Sequence, residues 1–260
     1  MKSYAYAGVV LALLCISSVA RAANLLAYKA PPPPPAAVPG NVYVGLSAGA
    51  RWSDTDWTTV ALGSPPASPR FPNPAGFDSS TARVGLYAAY MVRIAPTWAV
   101  GIEGDIAWGD SSKNLPGIPG TCCGGVARVR EGWDGSIRGR LGFLLTPAWL
   151  LYATGGIAWQ GIEVDASCGA GKGLCTSSHV ESVASTQPGW TLGAGIEVML
   201  RYNWLVRLEY RFSDYGRLDH SFFVSPASDR VAMNETLSTQ TLLVGIAYKL
   251  SPAPPPASRH

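Results

Sequence analysis

Charge is scarce in this 260-residue chain: Asp, Glu, Lys and Arg make up 14% of it, where a soluble domain carries about a quarter. The formal net charge of +3 is small and there is no basic run, so no nucleic-acid partner is expected. Long apolar runs are also missing. Beyond residue 22 nothing approaches the roughly 20 apolar residues of a spanning helix. Histidine occurs three times, at His179, His220 and His260. No CxxC or His spacing accompanies it, and no metal is expected. The nucleotide fingerprint is absent: Gly155-Gly156 and Gly193-Ala194-Gly195 lie inside alternating segments, where small residues ease packing. Asp219-His220-Ser221 is the one cluster of catalytic residue types, and a solvated loop residue beside Asp explains it, so no enzyme and no cofactor are expected. Asn234-Glu235-Thr236 matches a glycosylation sequon by chance.

The ends are of low complexity. Met1-Lys2, an apolar run from Ala5 to Val19 and the small-residue site Ala20-Arg21-Ala22 read as a secretory signal over 1–22. Cys15 follows Leu14, where a lipoprotein site needs a small residue. Residues 23–40 hold a five-proline run and read as an extended spacer. A Pro-rich tail fills 251–260. Four cysteines remain after the signal: Cys122, Cys123, Cys168 and Cys175. In an exported chain they predict disulfides. The reading taken is Cys168–Cys175 closing one loop, with Cys122 and Cys123 either vicinal or free.

What is present is alternation. Along 134–160, Trp133, Ile137, Leu141 and Phe143 share one parity, while Asp134, Ser136, Arg138 and Arg140 share the other. After a turn at Thr146, Pro147 and Ala148, Trp149, Leu151, Ala153, Ile157 and Trp159 repeat the pattern. A period of two means strands. Trp at both rims with charge on the opposite face points to a membrane barrel rather than a soluble sandwich. The same pattern recurs over 41–250 and gives eight strands. Long connections are expected at 51–80, 110–128, 165–187 and about 215–235, with short turns between them. Each short turn is followed by Trp98, Trp149 or Trp204; Trp108, Trp159 and Trp190 mark the other rim. The fold expected is all-β, an eight-stranded antiparallel up-and-down barrel with periplasmic termini and extracellular long loops.

The inward parity collects Arg83, Glu103, Asp105, Asp134, Arg138, Arg140, Glu197, Arg207, Glu209 and Arg211, five of each sign. Unpaired buried charge is costly, and eight strands enclose room only for side chains. A plugged, ion-paired interior is therefore expected, with a narrow diffusion channel as the alternative.

The stretch SIRGRLGFLLTPAWLLYATGGIAW resembles the small-barrel outer-membrane immunogenic proteins of alphaproteobacteria, a porin family. NVYVGLSAG at 41–49, WAVGIEGDI at 98–106 and WLVRLEYRFSDYG at 204–216 are similar to its other signature stretches. The resemblance implies an abundant, surface-exposed, antigenic outer-membrane barrel that supports envelope integrity. Its expected partners are outer-membrane lipid and lipopolysaccharide, the barrel-assembly machinery and peptidoglycan. Some relatives carry peptidoglycan on the mature N-terminal alanine, here Ala23, although Asn24 stands where they usually have Asp. Others are linked to haem, for which His179 or His220 with Phe222 and Phe223 would be the candidates. A barrel of this kind usually ends on Phe, whereas here Leu250 is followed by SPAPPPASRH.

Overall fold

The computed structural model describes residues 40–63, 75–115, 117–119, 125–170 and 175–250. The signal, the leader with Ala23, the prolines of 64–74, Cys122, Cys123 and the tail lie outside the described residues. The strands are β1 (Asn41–Leu62), β2 (Ala75–Arg93), β3 (Trp98–Leu115), β4 (Gly125–Leu144), β5 (Trp149–Cys168), β6 (His179–Met199), β7 (Trp204–Phe222) and β8 (Val231–Leu250). Each pairs antiparallel with the next, and β8 returns to β1. The eight-stranded up-and-down barrel expected from the alternation is the fold observed.

Three short turns share one end. At 145–148 the Thr146 hydroxyl accepts the amides of Ala148 and Trp149 at 3.2 and 3.1 Å, which closes the hairpin and starts β5. The other end carries the longer connections, so the two are called here the turn end and the loop end.

The strands run 18 to 22 residues, about twice the 9–11 needed to cross a membrane. Much of what the sequence suggested as loop is therefore strand: 51–62, 75–80, 110–115, 165–168 and 179–187 all continue the ladder. His179 and His220, expected in loops, stand in β6 and β7. The physical reason is a change of phase. Near the turn end apolar side chains face out, as Val44, Leu46, Leu151, Ile157, Val244 and Ile246 do. Nearer the loop end they face in: Trp57 on β1, Ile162 and Val164 on β5, Met233 and Leu237 on β8. The outward positions there are polar, such as Asp54 and Asp56. In β4 a bulge between Glu131 and Asp134 achieves the same reversal.

Beyond that level the wall divides. The β2–β3 ladder stops at Val84–Trp108 and the β6–β7 ladder at Trp190–Asp214. The other six ladders continue toward the loop end. Two four-stranded panels result, β7-β8-β1-β2 and β3-β4-β5-β6. They face each other across an apolar layer of Trp57, Tyr215, Phe222, Phe223, Val231 and Met233 from one panel, and Val129, Ile162, Val164, Cys168 and Ile118 from the other. A second apolar layer, built from Tyr43, Tyr87, Met91, Ala99, Leu205 and Ala247, lies toward the turn end.

Candidate functional site: the charged core of the barrel

Between the two apolar layers lies a dense ionic layer. Inward parity places its members, because neighbouring strands present their even or odd residues to the same interior. Glu103 of β3 is central: Arg138 Nη2 donates to its Oε1, and Arg140 Nη1 and Arg207 Nη1 donate to Oε2 at 3.0 and 2.6 Å. Glu209 accepts from Arg138 Nη1 at 2.7 Å, Arg211 Nη2 at 3.0 Å and the Tyr152 hydroxyl at 2.9 Å. Asp105 joins Arg83 and Arg211 at 2.8 and 3.0 Å and accepts the Ser136 hydroxyl. Arg83 Nε reaches both oxygens of Asp134 at 3.0 and 2.9 Å. Glu197 holds Arg140 Nη2 at 3.1 Å nearer the turn end.

Nine of the ten charged residues singled out on the inward parity are buried, the side chain of the tenth, Asp105, is 2% exposed, and all ten belong to this one network. Two more belong that the sequence did not yield. Arg51 donates to Asp134 and Gln160 at 3.0 and 3.2 Å and pairs with Glu131 at 3.3 Å. Arg51 lay in a segment taken for loop, where the alternation Arg51, Ser53, Thr55, Trp57, all buried, was the signal that could have found it. Glu131 lay between the loop expected at 110–128 and the alternating stretch from 134, on the parity opposite to the inward charges. The completed set balances six arginines (51, 83, 138, 140, 207, 211) against six carboxylates (103, 105, 131, 134, 197, 209). Two guanidinium groups also stack on tyrosines: Arg207 over Tyr87 at 3.4 Å and Arg140 over Tyr152 at 4.0 Å. Gly245 makes room for the first, since a Cβ there would stand 2.9 Å from the Arg207 side chain.

The rim tryptophans Trp98, Trp149, Trp204, Trp108 and Trp190 expose 41–49% of their surface on the outer wall, and Trp159 is half-buried on the same parity. Trp52 and Trp133 stand with them. Edge contacts steady the turn-end ring, Trp98 on Phe143 and Trp204 on Tyr248.

At the loop end, Cys168 and Cys175 form a disulfide. Beside it Asp229 accepts the Thr176 amide and hydroxyl and the Ser228 hydroxyl at 2.9–3.0 Å and meets His179 Nε2 at 3.0 Å. Burial pushes the Asp229 carboxyl up, but the hydrogen bonds from Ser228, Thr176 and His179 outweigh it and hold it down at about 2. Ser177 Oγ touches the same Nε2 at 2.9 Å, whereas a proton relay needs acid and nucleophile on different ring nitrogens. Asp219-His220-Ser221 is split by the pleat: His220 turns inward against Phe222 at 4.7 Å, while Asp219 faces out. Phe222 and Phe223, expected as loop aromatics, are buried. Among the described residues the interior charges of the ionic layer are thus paired with one another, and the His, Ser and Asp groups at the loop end do not line up as a relay.

The chain matches a family profile described as outer membrane protein beta-barrel domain over residues 9–249. It is 27% identical over 243 residues to the 25 kDa outer-membrane immunogenic protein of Brucella abortus biovar 1 (strain 9-941), covering 92% of this chain and 94% of that one. To the 22 kDa outer membrane protein of Rhizobium leguminosarum bv. viciae it is 34% identical over 120 residues, 46% of each chain. Among solved structures, the outer membrane protein OprG of Pseudomonas aeruginosa aligns with a TM-score of 0.49 at 12% identity, over 82% of this chain and 97% of that one. With a match that spans every strand, this chain belongs to the outer membrane protein beta-barrel family and is an integral protein of the outer membrane.

Proposed function

We propose that this barrel is a closed structural element of the outer membrane, with its loop end at the cell surface and its termini in the periplasm, rather than a diffusion pore. One observation carries the reading: an ion-paired layer fills the interior and is flanked on both sides by layers of buried apolar side chains. An ion crossing it would have to break buried pairs and then shed its hydration among Trp57, Phe222 and Met233. Planar-bilayer recordings of the refolded protein are expected to stay at the empty-membrane baseline; discrete conductance steps reject the reading.

The outward apolar band between tryptophan rims fits lipid, and the polar strand extensions fit contact with lipopolysaccharide. Insertion would rely on the barrel-assembly machinery. Surface antigenicity is supported by the Brucella relatives, which are named as outer-membrane immunogenic proteins. An anchoring role rests on the resemblance, through Ala23 and the proline spacer. Mass spectrometry of purified peptidoglycan should then recover a cross-linked peptide beginning at Ala23, and its absence removes the tether while leaving the closed barrel untouched.

A further inference from the structure

The apolar layer at the loop end contains a carboxylate that no described residue neutralises. Glu235 stands on the inward face of β8 between Met233 and Leu237, opposite Trp57 of β1 and Leu218 of β7. It is 2% exposed, and neither of its oxygens finds a hydrogen-bond partner among the described residues. It lies five residues beyond Gln240, which pairs with the rim residue Trp52, and so above the membrane-facing band. Burial first, and then the charge of Glu131, push its carboxyl up to about 7.

The charged and titratable groups that face this interior come from four strands. Arg51 of β1 is committed to Asp134 and Glu131. Glu131 and Asp134 lie on β4. His220 of β7 turns an unpartnered Nε2 inward, and Glu181 of β6 accepts the Phe223 amide at 2.7 Å. β5 supplies the neutral Gln160, and β2 and β3 supply Ser79 and Ser111, joined at 2.9 Å. Arg51, committed to Asp134 and Glu131, makes no ion pair with Glu235.

Its position within the wall gives that charge a mechanical meaning. Glu235 belongs to the β7-β8-β1-β2 panel and Glu131 to the β3-β4-β5-β6 panel. Backbone pairing between the panels ends at Val84–Trp108 and Trp190–Asp214. Above those points, side-chain ties join them, such as Thr81 Oγ1 to the Asp110 carbonyl at 2.9 Å and Ser53 Oγ to Glu131. We propose that Glu235 is a proton-operated latch between the two panels. Uncharged, it lets the apolar layer close; ionised beside Glu131, it puts like charges on opposed faces in a medium that cannot screen them, and the panels part.

Hydrogen exchange of the full chain in lipid nanodiscs tests this, with exchange times scaled for the intrinsic effect of pH. Between pH 5.5 and 8.5, amides of 53–59, 127–131 and 231–239 should lose protection by about tenfold or more with a midpoint near neutrality, while 151–157 and 242–250 stay protected. The Glu235→Gln variant should remain protected at both pH values. In Glu131→Gln the midpoint should move to higher pH or the loss should shrink, since an ionised Glu235 would meet no opposing carboxylate and would have Arg51 freed as a partner. Equal protection of the native chain at both pH values overturns the latch, as does a Glu235→Gln variant that still loses protection. Loss that extends equally into 151–157 and 242–250 also overturns it. Should Glu235→Gln fail to refold, an unchanged transition in Glu131→Gln overturns it alone.

Discussion

Glu103 illustrates how a buried charge in this barrel can be tolerated at all. Three guanidinium groups converge on its two oxygens, so its removal strands positive charge in a buried interior. Breaking a buried pair by deleting one partner costs about 3–5 kcal/mol. Glu103→Gln is expected to fall in that range by urea unfolding in lipid, whereas Glu197→Gln, which frees a single Arg140 contact nearer the turn end, should cost markedly less. Equal losses would mean that the network does not centre on Glu103. Glu235 reverses the usual sign for a carboxylate. Its folded pKa is raised from 4.5 to about 7, so between those values the folded chain holds a proton that the unfolded chain has released. Stability is full below about pH 4.5, declines as pH rises through that window, and levels off above about 7, a loss on the order of 3 kcal/mol. The difference in urea midpoint between the native chain and Glu235→Gln, followed from pH 4.5 to 8.5, reads it directly. Asp229 runs the other way: its hydrogen-bonded loop cluster should persist until pH falls toward about 2.

Strands behave differently on the two sides of the loop-end tryptophan ring, and that governs what could be read from residue order. Below the ring, lipid outside and charge inside give the strongest polarity contrast a strand can show, and the fold, the short turns and ten of twelve network charges were legible there. Above it, water outside and an apolar layer inside reverse the phase, as in β5, where Trp159 faces out and Ile162 in. Along one parity the pattern fails there and suggests a loop, which is how Arg51 and the strand positions of His179 and His220 were missed, whereas Glu131 was missed because it stands on the parity that faces out below the bulge. The extension of Glu131 into the interior also depends on the β4 bulge, which no residue preference announces. At this scale the Cys168–Cys175 bridge ties the end of β5 to the segment leading into β6, a closure worth about 2–3 kcal/mol in chain entropy. Replacing both cysteines with serine should leave the strand signal in circular dichroism intact, since the ladders do not depend on the bridge. Proteolysis at 169–178 should rise sharply. An unchanged cleavage rate would show that Asp229 and its partners hold this loop unaided.

At the scale of the whole molecule, the closed barrel proposed above amounts to three barriers in series, and series barriers predict a particular failure pattern. Removing the central pair while keeping charge balance, as in Glu103→Ser with Arg138→Ser, hollows the ionic layer but leaves Tyr87, Met91 and Leu205 on one side and Trp57, Phe222 and Met233 on the other. An ion still has to lose water in two apolar constrictions, so this double variant is expected to give the same silent bilayer trace as the native chain. Truncating one apolar layer as well, through Trp57→Ala and Phe222→Ala, still leaves the layer of Tyr87 and Met91, and the trace should stay silent. Discrete openings are expected once Tyr87→Ala and Met91→Ala are added, because a continuous wetted path then exists from loop end to turn end. The order of opening is what discriminates. If the charge-pair variant conducts by itself, the apolar layers do not seal, the ionic layer is the gate, and the chain is a pore held shut by salt bridges.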